Sequence, residues 1–379
     1  MKKIVSLLLV AVMLLCASAF AEVAKEDLKV GLILLHDENS GYDANFINGM
    51  KTALTNLDMD PETQLIIKSN IPEDQSAYDA AVDLAESGCQ YIFADSFGHE
   101  DFIMLAAEEY PEIQFSHATG YQAASSGLDN MHNAFASIYE GRFAAGVAAG
   151  MKLNEMIAEG KITEDQAKVG YVGAYPYAEV VSGYTSYYLG MRYVCPSVTM
   201  VVKYTNDWGN LALEKEAATA LIAQGCVLMS QHADSNGAPS ACEEAGIPNV
   251  GYNISFVGPY PNTALISSRI DWAPYMTYAI EKVMAGEPFE ADWCKGFNDG
   301  AVALTELNEA IAAEGTAEKL EEVIGLLKSG ELHVFDASTF TVNGEAPVDD
   351  NIYDGYFHES EKASAPCFEL RIDGIEELG

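Results

Sequence analysis

The sequence predicts an α/β protein of two similarly built lobes, each a parallel sheet covered by helices on both faces. Three observations predict it. Short apolar runs alternate along the chain with segments whose apolar residues recur at helical spacing, which implies parallel strands joined by right-handed crossovers. Segments of the first half also reappear, in order, about 140 residues later, as structural repeats do. Lys29-Val30-Gly31 is matched by Lys168-Val169-Gly170, and Gly49-Met50-Lys51 by Gly190-Met191-Arg192. LIIKSN (Leu65 to Asn70) is matched by MVVKYTN (Met200 to Asn206), and SGCQYIFADS (Ser87 to Ser96) by QGCVLMSQHADS (Gln224 to Ser235). Third, Gly31 to Gly49 reads as a complete strand, turn and helix. An apolar run to Leu35 is followed by a polar turn, a capping Ser40, and Phe46, Met50 and Leu57 on one helical face.

The elements follow in order. Lys2 and Lys3, the apolar run Ile4 to Leu15 and Ala19-Phe20-Ala21 form a secretory signal, expected to be cleaved after Ala21. Cys16 follows Leu15, where lipid attachment wants a small residue, so an exported, soluble periplasmic or cell-surface product is expected. In the first lobe, strands are expected near 28–35, 63–69, 90–95 and 112–117, with helices near 42–57, 75–87 and 99–109. In the second, strands are expected near 167–173, 197–204, 226–231 and 248–252, with helices near 177–193, 210–223 and 236–245. Glu140 to Leu153 is a helix with small residues for close packing, its G-x-x-x-G a contact between helices in water. Ala264 to Trp272 is a further strand, and Ala273 to Gly286 a helix that returns to the first lobe. The chain then crosses three times, near 130–136, 270–272 and 290–294, and a three-segment hinge of this kind permits closure. The expected lobes are 22–134 plus 271–292 and 135–270 plus 293–345. A hairpin is expected over Gly330 to Glu345, and 346–379 forms an acidic extension.

The composition excludes several functions. A formal net charge of −37, made more negative by loss of the two leader lysines, disfavours nucleic acid, anionic membranes and polyanions. Six cysteines follow the leader, too few in so long a chain for a disulfide scaffold; Cys294 and Cys367 are the expected pair. The chain shows no nucleophile elbow, H-E-x-x-H, C-x-x-C, P-loop or dinucleotide fingerprint, so an enzyme is not expected. His36, Asp37, His232 and Asp234 could be assembled into a metal site, but scattered residues on loops ordinarily serve as hydrogen-bonding groups. No metal or cofactor is expected.

The residues at the strand ends are more informative, because ligands of open α/β sheets bind beyond the carboxyl ends of the strands. Asp37 and Tyr42 follow the first strand, and Phe97 and Gly98 the third. In the second half Trp208, Asp234 and Asn253 each follow a strand. Asn45, Phe46 and Trp272 complete the candidate set. Flat rings from two lobes with a carboxylate or amide suit a heterocycle, which is stacked on both faces and hydrogen-bonded at its edge.

The chain resembles the basic-membrane-protein family of ABC-transporter solute-binding proteins over roughly 29 to 345. The resemblance rests on Asp37 to Gly49, YEGRFAAGVAAG (Tyr139 to Gly150), TNDWGNLALEKEAA (Thr205 to Ala218), QGCVLMSQHADS and NTALISSRIDW. It implies a type I periplasmic-binding fold, a purine-like ligand and a membrane permease as partner, with the protein a monomer. Tyr42 and Trp208 take the two stacking positions and Asp234 an acceptor position at the purine edge. Where nucleoside receptors of the family carry an aspartate and a lysine for ribose, this chain has Asn253 and Ser268, with Arg269 beside it. A free base such as adenine is therefore expected over a nucleoside. The alternatives are a nucleoside or other small heterocycle, and signalling to a sensor kinase in place of import.

Overall fold

The computed structural model describes residues 20–378; the signal segment through Ala19, with Cys16, lies outside the described residues. The first lobe contributes β1 (Val30–Ile33), α1 (Gly41–Asn56), β2 (Leu65–Lys68), α2 (Gln75–Glu86), β3 (Tyr91–Ala94), α3 (Glu100–Glu109), β4 (Gln114–Ala118) and β5 (Met131–Ala136). The second contributes α4 (Ile138–Ala158), β6 (Lys168–Gly173), α5 (Ala178–Val194), β7 (Thr199–Tyr204), α6 (Leu211–Ala223), β8 (Leu228–His232), α7 (Gly237–Ala245), β9 (Asn249–Tyr252) and β10 (Ala264–Ile270). The chain returns to the first lobe for α8 (Ala273–Ala285) and β11 (Asp292–Lys295). It ends in the second with β12 (Val302–Leu304), α9 (Thr316–Ser329), the short strands β13 (Ile352–Tyr353) and β14 (Tyr356–Phe357), and β15 (Ile375–Leu378).

The two sheets run β11-β5-β4-β3-β1-β2 and β12-β10-β9-β8-β6-β7-β15. The first is parallel throughout, and in the second only β12 is antiparallel. The two-lobed α/β architecture read from the sequence is thus the observed one. The crossings fall at Ser137, at Asp271–Trp272 and at Gly296–Ala301. The third lies beyond its expected place because β11 pairs with β5 of the first lobe.

Local chemistry accounts for the elements around the cleft. Ser40 caps α1 by accepting from the Asp43 N–H at 3.3 Å. Phe46, Met50 and Leu54 of that helix are fully buried. Asp74 and Asn210 cap α2 and α6 in the same way. Helices α4 and α5 meet backbone to backbone. A Cβ on Gly146 would lie 2.1 Å from the Tyr187 carbonyl oxygen, and one on Gly190 2.0 Å from that of Phe143. The lobe repeat also extends to the turns: Asn70 and Asn206 both adopt positive φ, and each donates its N–H to a carbonyl just past the first strand of its lobe, His36 and Ala174.

The C-terminal region departs from expectation. The hairpin expected over Gly330 to Glu345 is reduced to one bridge, Val342 with Glu345. Asp336 accepts from the Ser338 N–H and hydroxyl and forms a local turn, while Phe335 and Phe340 pack into an aromatic cluster with Phe357 and Phe368. The acidic 346–379 segment instead ends in β15, which pairs with β7, and the Tyr184 hydroxyl donates to Glu377 at 2.6 Å. Cys294 and Cys367 are free thiols, not a pair. The first has Ser137 Oγ at 3.6 Å and the second is held by Glu359 at 3.3 Å. Among the described residues no helix is long and apolar enough to cross a membrane.

Candidate functional site

A chamber of about 360 Å³ lies between the lobes at the carboxyl ends of both sheets. Leu35, Tyr42, Ser96, Phe97 and Thr119 line it from the first lobe, and Glu179, Trp208, His232, Asp234 and Tyr252 from the second. Each follows or ends a strand, or stands in the first turn of the next helix, as the topology requires. The lobes touch through the Gly41 N–H, which donates to the Asp234 carbonyl at 3.0 Å. Thr119, just past β4, has φ +65°, and Asn253, just past β9, has φ +66°. A β-branched residue rarely adopts that conformation. Each residue donates its N–H to the strand alongside, to the Ala134 and Ser268 carbonyls respectively, so the same bend recurs at both walls, strained at Thr119 and readily adopted by Asn253.

The two rings are mounted differently. The Tyr42 hydroxyl donates to the Asp95 carbonyl at 2.7 Å and its ring meets Phe46 edge-on, which fixes it within the first lobe. Trp208 is backed by Tyr175 at 5.3 Å and Tyr177 at 6.2 Å, and its carbonyl accepts from the Asp234 N–H at 2.8 Å.

The charged groups are concentrated in the second lobe. The Asp234 carboxylate accepts no hydrogen bond from the described residues. Burial, with the Asp43, Glu214 and Glu179 charges nearby, holds its pKa well above the ordinary value. Glu179 accepts from His232 Nε2 at 3.2 Å. Burial, aided by the Arg142 charge, drops the His232 pKa to about 4, so this imidazole is neutral and can donate through one nitrogen. Behind the wall, the Arg142 guanidinium lies 3.4 Å from the Tyr252 ring centroid and donates to the Gln231 carbonyl at 2.9 Å.

Of the residues expected from sequence, Tyr42, Phe97, Trp208 and Asp234 line the chamber. The others stand outside its lining. Asp37 is half-buried and accepts from Asn39 in its own turn. Asn45 donates to the Ile270 carbonyl at 2.6 Å, tying α1 to the end of β10. Phe46 is buried and stacked on Trp272 at 4.2 Å, so this pair is core. The Gly98 N–H donates to Glu73 at 2.8 Å, and Asn253 is buried behind the wall that its neighbour Tyr252 faces.

Glu179 and Tyr252 were missed, and His232 was considered only as a metal ligand. The strand-end rule reaches Tyr252, one residue before Asn253. Glu179 carries no local signal, because a glutamate in a helix's first turn ordinarily complements the helix dipole.

Comparison with known proteins places the chain. It is 31% identical to a purine-binding protein of Brucella abortus over 313 residues, covering 82% of this chain and 84% of that one. It is 33% identical to a candidate ABC transporter glucose-binding protein of Haloferax volcanii over 257 residues, 68% of this chain and 61% of that one. An ABC transporter solute-binding protein from Conexibacter woesei superposes with a TM-score of 0.65 at 19% identity, covering 81% of this chain and 98% of that one. The likeness shows the shared periplasmic-binding type of fold. Residues 31–328 match the model of the PnrA-like ABC transporter substrate-binding proteins (Bmp), and the chain belongs to that family of non-enzymatic binding proteins.

Proposed function

We propose that this chain, exported and cleaved of its leader, closes on a purine-like free base, adenine foremost, and delivers it to an ABC permease. The observation that carries the reading is the Asp234 carboxylate, free of hydrogen bonds from the described residues in a chamber that also presents the Tyr42 and Trp208 rings from opposite lobes. An acceptor beside two aromatic faces suits the donor-bearing edge of a flat base. The name of the Brucella abortus relative supports the same class.

The ribose question turns on Asn253, Ser268 and Arg269. Asn253 and Ser268 are both buried outside the chamber's lining, and the Arg269 guanidinium is committed to Asp271 at 3.0 Å. Ribose hydroxyls taken from water would find few partners there, and each unpaired group costs roughly 1–3 kcal/mol. The Haloferax volcanii relative's name raises a second reading, a hexose. A hexose would need many directed partners, while most of the chamber's hydrogen-bonding side chains are already engaged within the protein. Calorimetry with adenine, adenosine and glucose tests the choice. Adenine should bind at least about tenfold tighter than adenosine, a difference of ~1.4 kcal/mol. Equal or tighter adenosine binding would refute the free-base preference, and tighter glucose binding the purine reading itself.

A further inference from the structure

The chamber does not end at Trp208. A second, larger space of about 900 Å³ shares Phe97, Thr119, Glu179 and Trp208 with it and opens outward. Three rings at this outer space are unusually bare: Phe97 is 43% exposed, Tyr121 59% and Tyr177 46%. They are also arranged. Phe97 of the first lobe stands 6.0 Å from Tyr177 of the second and 6.5 Å from Tyr121, and Tyr175 stacks beneath Tyr177 at 5.0 Å. Exposed aromatic surface gathered in a concavity marks a site where something apolar is received.

The far wall is supplied by the C-terminal segment, through Ala365, Pro366 and Glu369. The family match ends at residue 328, so this wall lies beyond the matched residues. It is held from both sides. The Ser364 N–H donates to Asp292 of the first lobe at 2.8 Å. Phe368 stacks on Phe335 at 4.4 Å, and the Cys367 N–H donates to Glu359 at 3.1 Å. Among the described residues the only charged side chains lining the space are Glu179 and Glu369, with no lysine, arginine or histidine. An anionic group is therefore disfavoured, and an apolar or cationic one is suited.

We propose that this outer space is a second subsite of the same cleft, roofed by residues 365–369, that receives an apolar aryl substituent carried on the base held in the inner chamber. The proposal rests on the purine reading. Its occupant follows from the continuity of the two spaces and from the rings and charges that line the outer one. The ligand class widens accordingly, from bare bases to bases bearing an uncharged ring.

Calorimetry on the full chain with adenine, N6-benzyladenine and 9-benzyladenine tests it, since the two derivatives direct the ring out of different edges. At least one should bind about tenfold tighter than adenine, as expected for a ring gaining aromatic contacts. In Tyr121→Ala and, separately, Pro366→Ala, that advantage should shrink to about twofold. Adenine titrated into each variant verifies that its inner chamber is folded. Weaker binding of both derivatives than of adenine would overturn the outer subsite while leaving the purine reading intact. An advantage that persists in both variants would also overturn it. Failure of all three ligands to bind would overturn both.

Discussion

The two walls of the cleft come from repeats of one strand–helix plan, yet they divide the work unequally. In the first lobe most of the carboxylate and hydroxyl groups are engaged by the protein, although one Asp95 oxygen is buried unpaired. Asp43 accepts from the His36 N–H at 2.7 Å and from the Ser40 hydroxyl, Asp95 accepts from the Leu35 N–H at 3.1 Å, and the Tyr42 hydroxyl is spent on the Asp95 carbonyl. That wall is a preset, largely neutral surface. In the second lobe, among the described residues, Asp234 is left without a side-chain partner, Glu179 accepts only from His232, and Glu214 uses one oxygen on the Ser235 N–H while the other is buried unpaired. Duplicated architecture therefore supplies position, and the side chains on each copy decide whether a carboxylate holds the loop or is offered to a ligand. The contrast also costs stability, because unpaired buried charge is expensive.

The largest expected consequence concerns that cost. Burial raises the Glu214 pKa from 4.5 to about 7. Below pH 4.5 the folded and unfolded chains both carry the proton. Between pH 4.5 and 7 the unfolded chain releases it while the folded chain retains it, so stability falls as pH rises, by on the order of 3 kcal/mol in all. Glu214→Gln should remove that slope, and urea unfolding at pH 5 and pH 8 should show the variant gaining on the parent at the higher pH. A variant whose pH dependence parallels the parent's would mean that Glu214 is not the strained group of the second wall.

Next comes the contrast between the two aspartates. Asp234→Ala should lose about 1–3 kcal/mol of base binding, the cost of leaving a buried partner without its hydrogen bond, while Asp95→Asn should leave affinity within a few-fold. Equal losses would erase the distinction between the walls. The smallest effect should come from the second wall's ring. Trp208→Ala is expected to lose roughly 1–3 kcal/mol, toward the lower end, because Tyr175 and Tyr177 stand behind it. Quenching of tryptophan fluorescence by adenine in the parent gives an independent reading, and unchanged affinity in a folded Trp208→Ala chain would remove that ring from the site.

The sequence by itself determined the elements of both lobes, because apolar periodicity and capping residues act within one turn or strand. The strands ending at Ile33 and Gly173, the Ser40 cap and the close-packed Gly146 helix all stand where local pattern put them. It also determined four lining residues, Tyr42, Phe97, Trp208 and Asp234, since the strand-end rule depends only on chain order. Tertiary structure decided the rest. Phe46 and Trp272 look like ligand rings in sequence and become core because they stack on each other across 226 positions of chain separation by the numbering, a pairing that no local pattern encodes. Glu179 becomes a site residue only when α5 turns its first turn toward the cleft beside His232. The tail shows the same limit most clearly: read alone it is an acidic extension, and only β15 docking beside β7 and Ser364 reaching Asp292 bring it to the mouth of the cleft. Contacts between residues far apart in sequence depend on which surfaces the whole chain leaves uncovered, and that is settled only when every element has packed.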